Sequence, residues 1–414
     1  MVDNSKSVLV VGFNTRPLAY SLNKAGYDVY AVDFFGDLDL FPFVKDYIII
    51  MKELNTNYDS LKDKYGKFLA QFALKLYRKR QDVNFFLIGS GLDDAYEERK
   101  LLLDEIKNFD TKSVNNDLDV IKKSRDIEYI FEILKSQGYI IPVYCTLEKF
   151  KSREFILEYP FILKKKRSAG GMNVFKIGNQ MNLISQMKKL EKELFTPSEW
   201  MIQEYIRGTP ISSTVISNGK ESEVISINKQ IIGEKLLNSP REFAYCGNIV
   251  PAGLQKEEET LISEISLFLT KKLGLKGING FDFVLKDHHP YFMECNPRIP
   301  GSIRASECVL NLNLLDLHIK SFNLTEWVNI IKLIKLAKPM TVATKLIYFA
   351  PKDIDKKLLA IINNLKFIHD KTEPIRQINK GEPLCTILCE AKDFSKSYNG
   401  AIEIANKINK IIGY

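Results

Sequence analysis

The sequence predicts an α/β fold, α+β taken as a whole, with a parallel domain first and antiparallel sheets after it. Three observations carry this. Over the first 115 residues, apolar strand-like runs alternate with helical spacing, the pattern of a doubly wound parallel sheet. Two later stretches read as hairpins, turning at Asn218-Gly219 and at residues 286–290. The last block pairs two strand-like runs with a closing helix.

The elements follow in order. Residues 7–12 (SVLVVG) form a continuous apolar run, suited to a strand buried on both faces. A helix over 17–25 leads to strands at 28–33 (DVYAVD), 47–51 and 85–88, the last ending in Gly89-Ser90-Gly91. Ligands of such sheets bind beyond the strand C-termini. Gly12, Asn14, Arg16, Asp33 and Gly36 lie there, and Asn14 and Arg16 are candidates for substrate contact. VVGFNTR has one Gly where a dinucleotide fingerprint needs three, so no nicotinamide site is expected. Asp33 is placed like a ribose-binding acid, but DFFGDLD offers three acids and a plain turn explains them equally well.

Residues 116–145 read as a helix-rich connector, with apolar positions 127, 130, 131 and 134, Ser124 as N-cap and Gly138 as the stop. Strands at 161–164 and 174–177 bracket a loop of cations and glycines in FILKKKRSAGGMNVFKI. Such a backbone can fold over an anion. Lys164 sits inside the strand, where a lone cation needs an anionic partner; Lys165, Lys166 and Arg167 read equally well as a solvated run. A strand at 200–205 ends at Gly208-Thr209-Pro210, and strands at 212–217 and 223–228 follow. Apolar positions 261, 262, 265, 268, 269 and 273 predict a helix over 256–273; a helical segment lies near 303–322. The block 340–414 reads as a small α/β or barrel-like cap.

The segment FDFVLKDHHPYFMECNPR, residues 281–298, carries the most chemistry. Folding it about His288 sets Asp282 opposite Glu294, and facing side chains on paired strands lie about 5 Å apart. Asn296, two residues beyond Glu294, projects from the same face. Two carboxylates and an amide then converge beside Arg298. Such a pair calls for a cation, and hard oxygen ligands suit Mg²⁺, which with few protein ligands usually carries phosphates.

Composition bounds the alternatives. With 414 residues, 45% apolar and 27% charged, the chain is long enough for two or three full cores. No run approaches the roughly 20 apolar residues of a membrane span, and residues 1–13 lack the pattern of a secretory signal, so a cytoplasmic protein without a membrane role is expected. The net charge of +8 is spread among interleaved acids, as in KKLEKEL at 188–194, which argues against nucleic acid. Six cysteines lack metal-type spacing, and four histidines offer no nucleophilic triad.

The order of these parts resembles the ATP-grasp superfamily, and within it the carboligases related to biotin carboxylase, over about residues 5–320. Lys164 to Gly170-Gly171 matches the flap pattern K-P-x-x-x-x-G-G, departing from it at Lys165, and ECNPR matches E-x-N-P-R without gaps. The whole chain is similar to an archaeal and methylotroph branch linked to pterin or furan C1-carrier coenzymes. It also resembles the ligases of pyrrolysine synthesis and tyramine–glutamate ligase. The resemblance implies a parallel α/β domain (1–115), an ATP-grasp N-subdomain (116–207), a C-subdomain (208–325) and a cap (326–414). It implies ATP as cofactor, with Lys164 and Arg125 on its phosphates; Arg125 stands where the family usually has Lys. Ser168, Gly170, Gly171 and Met172 would cover the phosphates, and Gln203, Glu204 and Ile206 would form the adenine hinge. Asp282, Glu294 and Asn296 would ligate one or two Mg²⁺, with Mn²⁺ as substitute, and Arg298 would neutralise the transferring phosphoryl group. Ser302 and Arg304 would join Asn14 and Arg16 at the substrate. The implied reaction activates a carboxylate as an acyl phosphate and joins it to an amine. Alternatives are a bicarbonate-activating carboxylase and a catalytically silent nucleotide-binding protein. The expected partners are small-molecule acids and amines; dimers are common in the family, which allows a homodimer.

Overall fold

The computed structural model describes residues 6–414 except 57, 62, 63, 81, 109, 153, 169, 193, 194 and 374–376. Three sheets organise it. Strands β1 (Ser7–Gly12), β2 (Asp28–Asp33), β3 (Asp46–Ile49), β4 (Phe85–Ile88) and β5 (Lys112–Ser113) form a parallel sheet in the order β3-β2-β1-β4-β5. Every residue of β1 is buried, as its unbroken apolar run requires. The helix Arg16–Lys24 covers one face and Tyr65–Lys79 the other. The third strand is shorter than predicted, because Ile50–Glu53 turn into a helical segment.

Strands β6 (Tyr144–Thr146), β7 (Phe161–Lys165), β8 (Val174–Ile177) and β9 (Trp200–Glu204) make a small antiparallel sheet in the order β6-β9-β7-β8. The third sheet has eight strands: β10 (Thr209–Asn218), β11 (Ser222–Ile232), β12 (Tyr245–Val250), β13 (Lys276–Lys286), β14 (His289–Asn296), β15 (Val342–Phe349), β16 (Ile368–His369) and β17 (Pro383–Ala391). Their order is β14-β13-β10-β11-β12-β15-β17-β16, antiparallel throughout. The helices Ile127–Ser136 and Lys256–Leu273 pack on one part of this sheet, and Phe394–Ile412 on its C-terminal part.

Several local expectations change. Ser124 does not cap a helix: it ends the helix Leu118–Ser124, and its hydroxyl donates to the Val120 carbonyl. Asp126 takes the cap, accepting from Tyr129 N. The segment 303–322 is two helices, Ile303–Leu310 and Leu314–Ser321, broken at left-handed Asn311. The C-terminal strands do not close into a barrel; β15 pairs with β12 and extends the eight-stranded sheet past residue 325. Among the described residues, no helix is long and apolar enough to cross a membrane.

Candidate active site

A cleft of about 660 Å³ lies between the four- and eight-stranded sheets, within the range of small-ligand sites. Its floor is the hairpin β13–β14. Asp282 pairs in register with Glu294, as the sequence predicted. The turn is tighter than the predicted five residues: Asp287 and His288 alone make it, both left-handed (φ 50° and 65°).

Asp282 is half-buried at the centre of a small network. Gln230 Nε2 donates to its Oδ1 at 2.9 Å, and Asn296 Nδ2 to its Oδ2 at 2.9 Å. Burial, and then the neighbouring Glu294, push its pKa up to about 7. Two carboxylates that resist joint ionisation are the setting in which a divalent cation is stabilised. The amide nitrogen of Asn296 faces Asp282, which turns its oxygen outward as a further neutral ligand. Among the described residues no group of three or more His, Cys, Asp or Glu gathers into a metal site. Two carboxylates and an amide suit a hard cation that keeps water and phosphate in its remaining positions.

Cations surround this pair. Arg125, almost fully buried, binds Glu294 through Nη1, both oxygens of Asp94 at 3.0 and 2.9 Å, and the Ser168 carbonyl at 2.8 Å. Arg298 Nε donates to Asp93 Oδ1 at 2.8 Å. Burial alone would raise the Asp93 pKa, but Arg298, Arg125 and Arg99 hold it below the usual carboxylate range. Lys164 projects from β7 with no hydrogen bond or ion pair among the described residues. Burial lowers its pKa to about 8, partly offset by Glu294. An ammonium held there without a counter-ion is a fit for a phosphate oxygen.

The flap and hinge flank this centre. Gly170 and Gly171 are left-handed (φ 63° and 68°) and line the cleft; a Cβ on Gly171 would stand 1.9 Å from the Phe243 carbonyl oxygen. That glycine is therefore demanded by packing on the 238–244 loop. Ser168 lines the cleft; Met172 is exposed and lies outside its lining, and Ala169 lies outside the described residues. At the hinge, Gln203, Glu204 and Ile206 all line the cleft. The Glu204 N–H is spent on the Val143 carbonyl at 2.7 Å, so it is not open to a ligand. Gln203 Oε1 is buried with no partner, an acceptor that an exocyclic amine such as adenine's would satisfy.

The substrate candidates divide. Asn14 and Ser302 line the cleft. Arg16 and Arg304 do not. Arg16 is pulled away by Asp370 at 2.8 Å, and Arg304 pairs with Glu307 and lies over the Tyr20 ring at 4.2 Å from its centroid. Sequence reasoning missed Asp93, Asp94, Gln230, Tyr245 and Lys345. The first two sit in GLDDAY after β4, beyond a strand C-terminus, which was the available signal.

The family described as ATP-grasp domain matches residues 128–302. "Uncharacterized protein MJ0776" of Methanocaldococcus jannaschii is 29% identical over 405 residues, 96% of this chain and 91% of that protein. A D-alanine–D-alanine ligase of Flavobacterium psychrophilum is 29% identical over 149 residues, 35% of this chain and 43% of that enzyme. The crystal structure of an L-amino acid ligase from Bacillus licheniformis superposes with a TM-score of 0.67 at 15% identity, covering 97% of each chain.

Proposed function

We propose that the chain is an ATP-grasp enzyme that activates a carboxylate with ATP as an acyl phosphate and joins it to an amine. One observation carries the reading: a facing carboxylate pair, Asp282 and Glu294, shares one cleft with Lys164, Arg125 and Arg298. The names of the relatives, a D-alanine–D-alanine ligase and an L-amino acid ligase, support the choice of an amine as acceptor.

The chemistry follows from charge. A carboxylate is a poor electrophile. One of its oxygens attacks the γ-phosphorus, the bond to the β-phosphate oxygen breaks, and ADP leaves. The amine nitrogen then attacks the acyl carbon, phosphate departs with the former carboxylate oxygen, and the nitrogen loses a proton. Asp282, Glu294 and Asn296 would hold Mg²⁺, which supplies charge neutralisation between the phosphates. Lys164 orients the phosphates from the sheet, and Arg298, fixed by Asp93, faces the negative charge that builds during transfer. Gln203 and Ile206, which line the cleft, would border the base. No protein nucleophile is needed.

The test is hydroxylamine trapping. With ATP, Mg²⁺ and a panel of carboxylates, the protein should yield a hydroxamate and one phosphate per trapped acid. The panel covers amino acids and precursors of C1-carrier coenzymes, the finer assignment that the resemblance brings. Glu294→Gln should lower the rate by roughly 10²–10³-fold. Phosphate release that needs bicarbonate alone would replace this reading with a carboxylase, and undiminished turnover in Glu294→Gln would remove the metal assignment.

A further inference from the structure

Strand β15 brings to the cleft a cation that the proposed chemistry leaves unused. Its alternation sends Lys345 and Ile347 to the cleft face, and Leu346 and Tyr348 into an apolar cluster. Lys345 Nζ donates to the Gly301 carbonyl at 2.9 Å, a neutral acceptor three residues beyond Arg298. Lys345 makes no ion pair among the described residues. Asp370 lies within its electrostatic reach, but Arg16 holds that carboxylate at 2.8 Å. Burial lowers the Lys345 pKa, as it does for an ammonium without a close counter-ion.

Two neutral donors stand with it. Asn248 on β12 is in register with Lys345, and facing residues on paired strands lie about 5 Å apart. Asn248 is 1% exposed, and its Oδ1 accepts from the Tyr245 hydroxyl, which leaves the amide Nδ2 as a donor. Ser302, 2% exposed, accepts from Asn228 Nδ2 at 3.2 Å, which leaves its hydroxyl proton to donate. Asn248 and Ser302 both line the cleft. The acids that line it are committed elsewhere. Glu204 accepts Val143 N at 3.1 Å, Glu242 meets Lys176 at 3.8 Å, and Asp282 and Glu294 form the facing pair. An ammonium, an amide N–H and a hydroxyl with no acid among them make a pocket for an anion.

Tyr245 links this pocket to the reaction centre. Its hydroxyl meets Asn248, and Asp282 and Arg298 lie within its electrostatic reach. The carboxylate that takes the phosphoryl group belongs beside the Asp282–Glu294 pair and Arg298, so an anion at Lys345 is a different group of the same molecule. We propose that Lys345, Asn248 and Ser302 hold a second carboxylate of the acid substrate, which makes the substrate class a dicarboxylic acid. The proposal rests on the ligase reading, since it names that reading's acid. One carboxylate is activated beside Arg298, and the other stays free at Lys345. One ammonium with two neutral donors balances one negative charge, which fits a carboxylate and falls short of a phosphate dianion. Lys345 touches no reacting atom; it decides which acids are accepted.

Thermal unfolding of the full chain at matched ionic strength tests this. The probes are malonate, succinate, glutarate and adipate, each against the monocarboxylate of equal carbon number. At saturation, at least one dicarboxylate should raise the wild-type midpoint by about 2 °C or more beyond its monocarboxylate. Lys345→Gln should erase that difference, and so should Asn248→Asp, which puts an acid into the pocket. Lys345→Arg, which keeps the charge, should retain it. Equal shifts for every pair in the wild type, or an undiminished difference in Lys345→Gln, overturns the proposal. Displacement of a fluorescent nucleotide by ATP, read on the same samples, separates the two readings. A wild type that binds ATP but does not prefer dicarboxylates sinks this proposal alone; one that prefers them but binds no ATP sinks the ligase reading and leaves the anion pocket standing.

Discussion

Asp282 ties the site's electrostatics to pH. Its pKa is raised in the folded chain to about 7, so the folded protein holds a proton that the unfolded chain has already lost in the ordinary carboxylate range. The stability linked to this group is present at low pH and is lost as pH rises through about 7. A divalent cation favours the ionised form and should restore it. The rise in thermal midpoint on adding Mg²⁺ should therefore be small near pH 6 and reach a plateau near pH 8, and Asp282→Asn should show no such step. A Mg²⁺ effect flat across this range would sink the cation assignment. Residues such as Asp282, Glu294 and Lys164 were legible because strand alternation and one short turn decide which side chains share a face. Asp93 and Asp94 were not. Their arginine partners lie 205 and 31 residues along the chain, and nothing local in GLDDAY records them.

Elements were legible where periodicity is strong and misread where a single side chain decides a boundary. The helix over 256–273 is present as predicted, and Glu258 explains its firm start. Its carboxylate accepts Gln255 N at 2.9 Å in a capping box and also meets His288 Nδ1 at 2.8 Å, tying the helix to the turn of the hairpin that carries Asp282 and Glu294. Glu258→Ala should cost about 1–2 kcal/mol, seen as a lower urea midpoint; an unchanged midpoint would mean that the cap is idle. Ser124 and Asp126 show the opposite case. Both are good capping residues; the second helix starts at Asp126, and Arg125 between them reaches Glu294 and Asp94, long-range partners that local sequence does not record.

At the scale of the whole molecule, the sequence indicated a parallel domain, two antiparallel parts and a C-terminal α/β segment. It did not indicate that β15 would join β12, because strand pairing across some 90 residues depends on which edges are left open and leaves no local pattern. A Cβ at Gly247 would stand 1.9 Å from the Lys345 carbonyl oxygen, so only glycine permits this join. The cleft consequently has a floor and a roof of unequal size. The floor belongs to an eight-stranded sheet covered by two large apolar clusters, and the roof to a four-stranded sheet over a small one. Amide hydrogen exchange should record this. Protons of β12 and β15 should exchange only through global unfolding, and those of β7 and β8 through smaller, more frequent openings; equal protection in both sheets would contradict it. The small sheet carries Lys164, so a roof that opens more often than the floor would let nucleotide enter and leave while the carboxylate pair beneath stays in register.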